Sequence, residues 1–135
     1  MCDLLAELFT IESDFSPDNE KQAHGLGALV ADPSGRTLVI VAVSDMNVIG
    51  MATVQTLIST AEGGRVGLIE DVIVDKKFRR KGIGALLLKE IAAWSGRMRL
   101  KRLQLLVDRD NHPALGFYSF QGLTFTRLIC MRKKP

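Results

Sequence analysis

The sequence predicts a single mixed α/β domain, α+β in type, with helices flanking a mixed central sheet. Three observations carry that prediction. Two segments of helical spacing come first, three apolar and β-branched runs follow them, and from Gly82 the hydrophobic period returns to that of a helix. The expected element order over residues 1–135 is ααβββαβαβ, in one domain without repeats, low-complexity tracts or linkers.

Leu4, Leu5, Leu8 and Phe9 recur at helical spacing and predict an amphipathic helix from Leu4 to Ser13. Ser16-Pro17 reads as a second helix start, a capping hydroxyl followed by a residue that needs no amide donor. That helix is expected to turn Ala23, Leu26, Leu29 and Val30 inward and to stop at Asp32-Pro33-Ser34-Gly35. Thr37–Ser44 and Val48–Leu57 read as a hairpin joined through Asp45-Met46-Asn47, and a third strand as Val66–Val74. Ile83, Leu86, Leu87, Ile91 and Trp94 describe one face of a helix that packs on the sheet. Leu103–Val107 is a short buried strand. Pro113 opens a helix that Gly122 closes, and Thr124–Met131 makes a final strand.

Composition narrows the function classes. The longest apolar run, Leu38–Val43, is too short to span a bilayer, and the N-terminus lacks the basic-then-apolar order of a signal peptide, so a cytoplasmic location without a membrane partner is expected. Cys2 and Cys130 lie at opposite ends, and His24 and His112 have no ligand set nearby, so no metal site is expected. A net charge of +3 is mild, but it is concentrated in Lys76–Lys81 and in Arg132–Lys134. That pattern suits either a nucleic acid or one small polyanion. The shortage of stacking aromatics and the absence of an RNP-type signature argue against nucleic acid.

The first cluster sits where a strand hands over to a helix, Arg79-Arg80-Lys81-Gly82-Ile83-Gly84. The first turn of a helix leaves amide N–H groups without partners, at the positive end of the helix dipole, and these attract phosphate oxygens. Gly82 and Gly84 lack a Cβ, so a pyrophosphate is expected to approach the backbone closely. A dinucleotide fingerprint would need a third glycine at Leu87, and no Walker GK[ST] triplet exists.

The run Ile69-Glu70-Asp71-Val72-Ile73-Val74-Asp75, then Phe78 to Gly84 and Leu86-Leu87, resembles the acetyl-CoA-binding motif of the GNAT superfamily N-acetyltransferases. Arg79, Gly82 and Gly84 match its R/Q-x-x-G-x-G/A signature. Asn111, Ala114, Phe117, Tyr118 and Gly122 resemble the family's second signature, with Leu123 standing where an aromatic usually sits. The family usually begins with a strand before its first helix, and here that strand is missing. An uncovered sheet edge invites pairing with a second chain, which makes a homodimer an expectation.

The resemblance implies transfer of the acetyl group of acetyl-CoA to a primary amine by direct attack in a ternary complex. It implies that Val72, Ile73 and Val74 pair with the pantetheine arm, that Arg79, Arg80, Lys81, Gly82, Ile83, Gly84 and Ala85 hold the pyrophosphate, and that Asn111 bonds the pantetheine or caps a helix. Acyl transfer also needs a base, because an alkyl amine with a pKa of about 10 is protonated at neutral pH. Glu70 is the first choice and Asp71 the second. Strand alternation places them on opposite faces, so only one should face the cleft. Tyr118, the only tyrosine, falls where the family often has its general acid. The acceptor is expected to be a small-molecule or peptide amine, and Glu7, Glu12, Asp14, Asp18 and Glu20 form an acidic lip that suits a cationic one. The alternative is a non-catalytic acyl-CoA sensor or regulatory subunit on the same fold.

Overall fold

The computed structural model describes residues 1–135. Helices α1 (Cys2–Ile11) and α2 (Asn19–Val30) precede strands β1 (Thr37–Ser44), β2 (Asn47–Ser59) and β3 (Gly64–Val74). A 3-10 turn at Lys76–Phe78 then leads to α3 (Ile83–Arg97), β4 (Leu103–Leu105) and α4 (His112–Phe120). The four strands lie in the order β1-β2-β3-β4, antiparallel across the first three and parallel between β3 and β4.

Each face of the sheet carries its own core. Leu4, Leu5, Leu8 and Leu26 from α1 and α2 pack with Met51 and Ile73, while Leu87, Leu88 and Ile91 of α3 pack with Ala52, Val54 and Ile69. Strand β2 supplies both, because successive residues of a strand point to opposite faces: Met51 faces α1 and Ala52 faces α3. The β1–β2 turn is a two-residue connection at Asp45 and Met46, with φ of 47° and 65°. Positive φ at both central residues is the geometry whose twist matches a hairpin.

Four expectations need correction. The last strand does not form: the chain from Thr124 to Met131 joins no sheet and is exposed, so the order ends at α4. The β-branched and apolar residues of this segment give strand propensity, but the three residues of β4 offer too short a ladder to recruit it. The cap of α2 is Asp18 rather than Ser16, since the Asp18 carboxylate accepts from the Lys21 amide at 3.2 Å. On α2 it is Gln22 and Leu26 that are buried, while Ala23 and Val30 are exposed. Strand β4 stops at Leu105, two residues short of the expected end. At the other side of the sheet β1 is an edge strand, as the missing first strand implied.

The α3 face rests on Ile91, which is fully buried. Ile91→Ala is expected to cost about 2–5 kcal/mol in urea unfolding. Leu86→Ala, on the exposed face of the same helix, is expected to cost well under half of that.

Candidate active site

The site begins with one extra residue in β3. Met51 pairs with Ile73 and Thr53 with Glu70, so Ala52 alone stands opposite both Asp71 and Val72. Asp71 takes up the surplus with φ of 55°, a left-handed conformation that Asp and Asn tolerate better than most residues. The bulge resets the alternation. Ile69 packs toward α3 but Ile73 packs toward α1, although an even spacing of four would put them on one face of a regular strand. Glu70 and Asp71 therefore both line the groove under α1 and α2. The expectation that they point to opposite faces fails for this reason.

Each carboxylate has its own neighbour. Thr53 Oγ1, fully buried, donates to Asp71 Oδ2 at 2.9 Å, and Gln55 Nε2 donates to Glu70 Oε2 at 2.8 Å. Burial pushes the Asp71 carboxyl above its ordinary value, against the lowering effect of the Thr53 hydrogen bond. The open groove has a volume of about 890 Å³, and its wall includes Phe9, Phe15, Asp18 and Gln22 beside the two carboxylates.

Two further groups act on this end of the groove. Glu12, at the C-terminal cap of α1, is half-buried, and its carboxyl is pushed up first by burial and then by the charges of Asp71, Asp108, Asp14 and Glu70. Tyr118 lies on α4 with its ring 5.2 Å from that of Phe117, and its phenol is pushed up to about 12 by burial and then by Glu12. Glu12 thus stands in electrostatic reach of both Tyr118 and the carboxylates of the bulge. In the sequence it is one of six acids between Asp3 and Glu20; only the turn after α1 singles it out. That turn is tied across the groove, where Ser13 Oγ donates to Asp108 Oδ2 at 3.0 Å.

On the other side of β3 the sheet splays. Parallel pairing with β4 covers Gly67, Leu68 and Ile69 only, so Val72, Ile73 and Val74 have no strand neighbour on that side. Helix α3 starts beside the same gap. Its first intrahelical bond runs from Leu86 N to Gly82 O at 3.0 Å, which leaves the N–H groups of Ile83, Gly84 and Ala85 directed out of the helix end. Gly82 has φ of 82° and open space where a Cβ would be. Gly84 differs, because a Cβ there would come within 3.1 Å of the Phe117 ring. It lets α4 pack closely on α3, and of the two glycines Gly82 alone has open space where a Cβ would be.

The basic side chains divide. Arg80, with φ of 63°, enters none of the chain's three ion pairs. Lys81 Nζ lies 5.1 Å from the centre of the Phe78 ring. Arg79 turns away from the helix end: its Nε donates to Val74 O at 2.8 Å and its terminal nitrogen pairs with Glu7. Asn111 Oδ1 accepts from the Ala114 amide at 3.2 Å, so the capping alternative holds for that atom. Free amides, an open glycine and the Arg80 and Lys81 cations fit a diphosphate, and the unpaired stretch of β3 fits an amide-bearing arm.

Comparisons agree with this geometry. A search of the curated proteins gives no significant match. Among solved structures, a possible acetyltransferase from Clostridium difficile 630 superposes with a TM-score of 0.84 at 20% identity, covering 99% of this chain and 88% of that one. The glucosamine-6-phosphate N-acetyltransferase of Arabidopsis thaliana gives 0.75 at 21% identity, covering 99% and 88%. An aminoglycoside 6'-N-acetyltransferase from Acinetobacter haemolyticus gives 0.76 at 19%, covering 90% and 84%. These likenesses establish the fold. The sequence pattern of the Acetyltransferase (GNAT) family matches residues 1–123, and with the splayed sheet, the bulge and the open α3 terminus in place, the chain belongs to that family of acetyltransferases.

Proposed function

We propose that this chain moves the acetyl group of acetyl-CoA to the primary amine of a cationic small molecule, by direct attack in a ternary complex. The observation that carries the reading is the bulge at Asp71, which puts two carboxylates at the floor of one groove beside the splay of β3 and β4. Acetyl-CoA supplies an acyl group on a thiolate leaving group. The free amides of Ile83 to Ala85, the open backbone at Gly82 and the side chains of Arg80 and Lys81 hold its diphosphate, and Val72 to Val74 pair with its pantetheine arm.

An incoming alkyl ammonium has to lose a proton before it can attack. Asp71 and Glu70 form the accepting pair. Burial makes Asp71 a stronger base than an ordinary carboxylate, the direction that suits proton removal from an ammonium. Glu70, exposed and held by Gln55, attracts the ammonium at the groove wall. Tyr118 stays protonated across the working range because its phenol is pushed up to about 12. It therefore serves as a hydrogen-bond donor to the departing thiolate, and Asn111 uses its amide nitrogen on the pantetheine.

Glu70, Asp71 and the neighbouring Glu12 favour a positively charged acceptor. Two of the similar structures are named for amine acetylation of an aminoglycoside and of glucosamine-6-phosphate. The acidic groove suits the first chemistry and repels the phosphate of the second. In a thiol-release assay with acetyl-CoA, aminoglycosides and polyamines are expected to turn over faster than glucosamine-6-phosphate. Preference for the phosphorylated sugar would overturn the acceptor class, and coenzyme A binding without release on any amine would favour the sensor alternative.

Asp71→Asn is expected to lower kcat/KM by about 100-fold or more, the scale of a lost general base, and Glu70→Gln by less, with most of its effect on KM for the acceptor. The same Asp71 variant is expected to be the more stable protein. Its folded pKa lies above the ordinary 3.8, so the native state holds this proton more tightly than the unfolded chain, and stability falls as pH rises through that range. Asparagine removes the cost. Melting curves should show Asp71→Asn gaining about 3 °C at pH 7 and nothing below pH 3.8. An equal gain at both pH values would mean the carboxylate is not held in a desolvating site.

The free edge of β1 borders an apolar groove of about 490 Å³ whose lining includes Val41, Val43, Ile83 and Leu86. An unpaired edge with apolar flanks supports a homodimer. Light scattering is expected to give about twice the 14.9 kDa of one chain, and a monomer at micromolar concentration would overturn it.

A further inference from the structure

The structure assigns Arg79 a task other than binding the diphosphate: with Glu7 it forms a strut that fixes the cofactor loop to α1, which makes Glu7 a positioning residue for acetyl-CoA. This rests on the reading of the α3 terminus as a coenzyme A site.

Arg79 is the residue that the glycine motif singles out, yet its guanidinium is engaged on the opposite side. Nε donates to Val74 O at 2.8 Å, five residues back, at the last residue of β3. The terminal nitrogen pairs with the Glu7 carboxylate, 72 residues away on α1. Both side chains are partly shielded, at 39% and 27% exposure, so the pair keeps more of its Coulomb attraction than a fully solvated one. The guanidinium presents its donors in a rigid fork, and here the fork joins a strand end to a helix. Directly after it, the chain passes through left-handed conformations at Arg80 and Gly82, with φ of 63° and 82°. A loop of that shape carries conformational cost and needs an anchor at each end. The helix is one anchor and Arg79 is the other.

Two consequences distinguish a strut from a ligand. A ligand would act alone on the diphosphate, so that removing Glu7 would free it and leave cofactor affinity intact or better. A strut acts only as a pair. The pair also connects the cofactor loop to the helix whose Leu5 and Phe9 line the acceptor groove.

The experiment is titration calorimetry with coenzyme A on the wild type, Glu7→Gln, Arg79→Gln, the double variant and Arg80→Gln. Steady-state kinetics and amide hydrogen exchange of residues 79–82 accompany it. Glu7→Gln and Arg79→Gln are each expected to weaken coenzyme A binding about fivefold, and the double variant no more than either single change. KM for acetyl-CoA rises while kcat at saturation holds, and exchange of the loop amides accelerates in both. Arg80→Gln adds its own loss on top of Glu7→Gln. Weakening by Arg79→Gln with no effect of Glu7→Gln would make Arg79 a direct ligand and overturn the inference, as would no effect of either. If the wild type binds no coenzyme A, the functional reading fails by itself. The strut is then decided by exchange alone, where loop amides unchanged in Glu7→Gln would overturn it.

Discussion

One surplus residue in β3 governs the rest of the site. A strand without the bulge would alternate Ile69, Asp71 and Ile73 on one face and would bring a single carboxylate to the groove. With Asp71 in a left-handed conformation, Glu70 and Asp71 share a face, Val72 packs toward α3, and Ile73 is returned to the core under α1. The same irregularity lies just beyond Ile69, where β3 parts from β4. The two acids on one face are therefore a consequence of one local event, and the gap beside β3 begins at the same place. Its cost is offset by the burial of Met51 and Ile73 and by the bond from Thr53.

The electrostatics follow from that geometry. Asp71 sits over a buried hydroxyl instead of water, and Glu12 faces it from the end of α1 with four acidic neighbours in range. Like charges at close quarters, partly removed from solvent, hold their protons more tightly. Tyr118 is raised by the same two causes, burial first and Glu12 second. Asp71 in the groove, Glu12 at the end of α1 and Tyr118 on α4 are thus all pushed toward holding their protons.

Most of the fold was legible because it depends on period and punctuation. β-branched runs marked three strands, and the apolar stripe from Ile83 to Trp94 marked α3. The open N-terminus of α3 was legible too, since unpaired amides at a helix start do not depend on tertiary detail. What pattern could not supply was parity. Alternation holds only while pairing is regular, and nothing in the string Ile69 to Val74 announces that Asp71 will be passed over by its partner strand. Side-chain allegiance was equally hidden. Gly84 and Arg79 both fit an anion-binding motif, yet one accommodates the Phe117 ring and the other pairs with a helix 72 residues away. Such contacts are set by folding, not by spacing. The failed final strand has the same origin, because the apolar and β-branched residues of Thr124–Met131 become a strand only where a ladder is ready to receive them.

That unrecruited segment carries a liability of its own. Phe125, Leu128, Ile129 and Met131 are all at least 75% exposed, in a stretch short of charge and free of proline until Pro135. Sequences of this kind seek a template strand, and β1 of a neighbouring molecule offers one. Arg127 within the stretch and Arg132, Lys133 and Lys134 beside it act as gatekeepers, keeping such segments apart by repulsion. The reach of that repulsion is set by ionic strength, so salt shortens the distance over which these positive charges keep exposed tails apart.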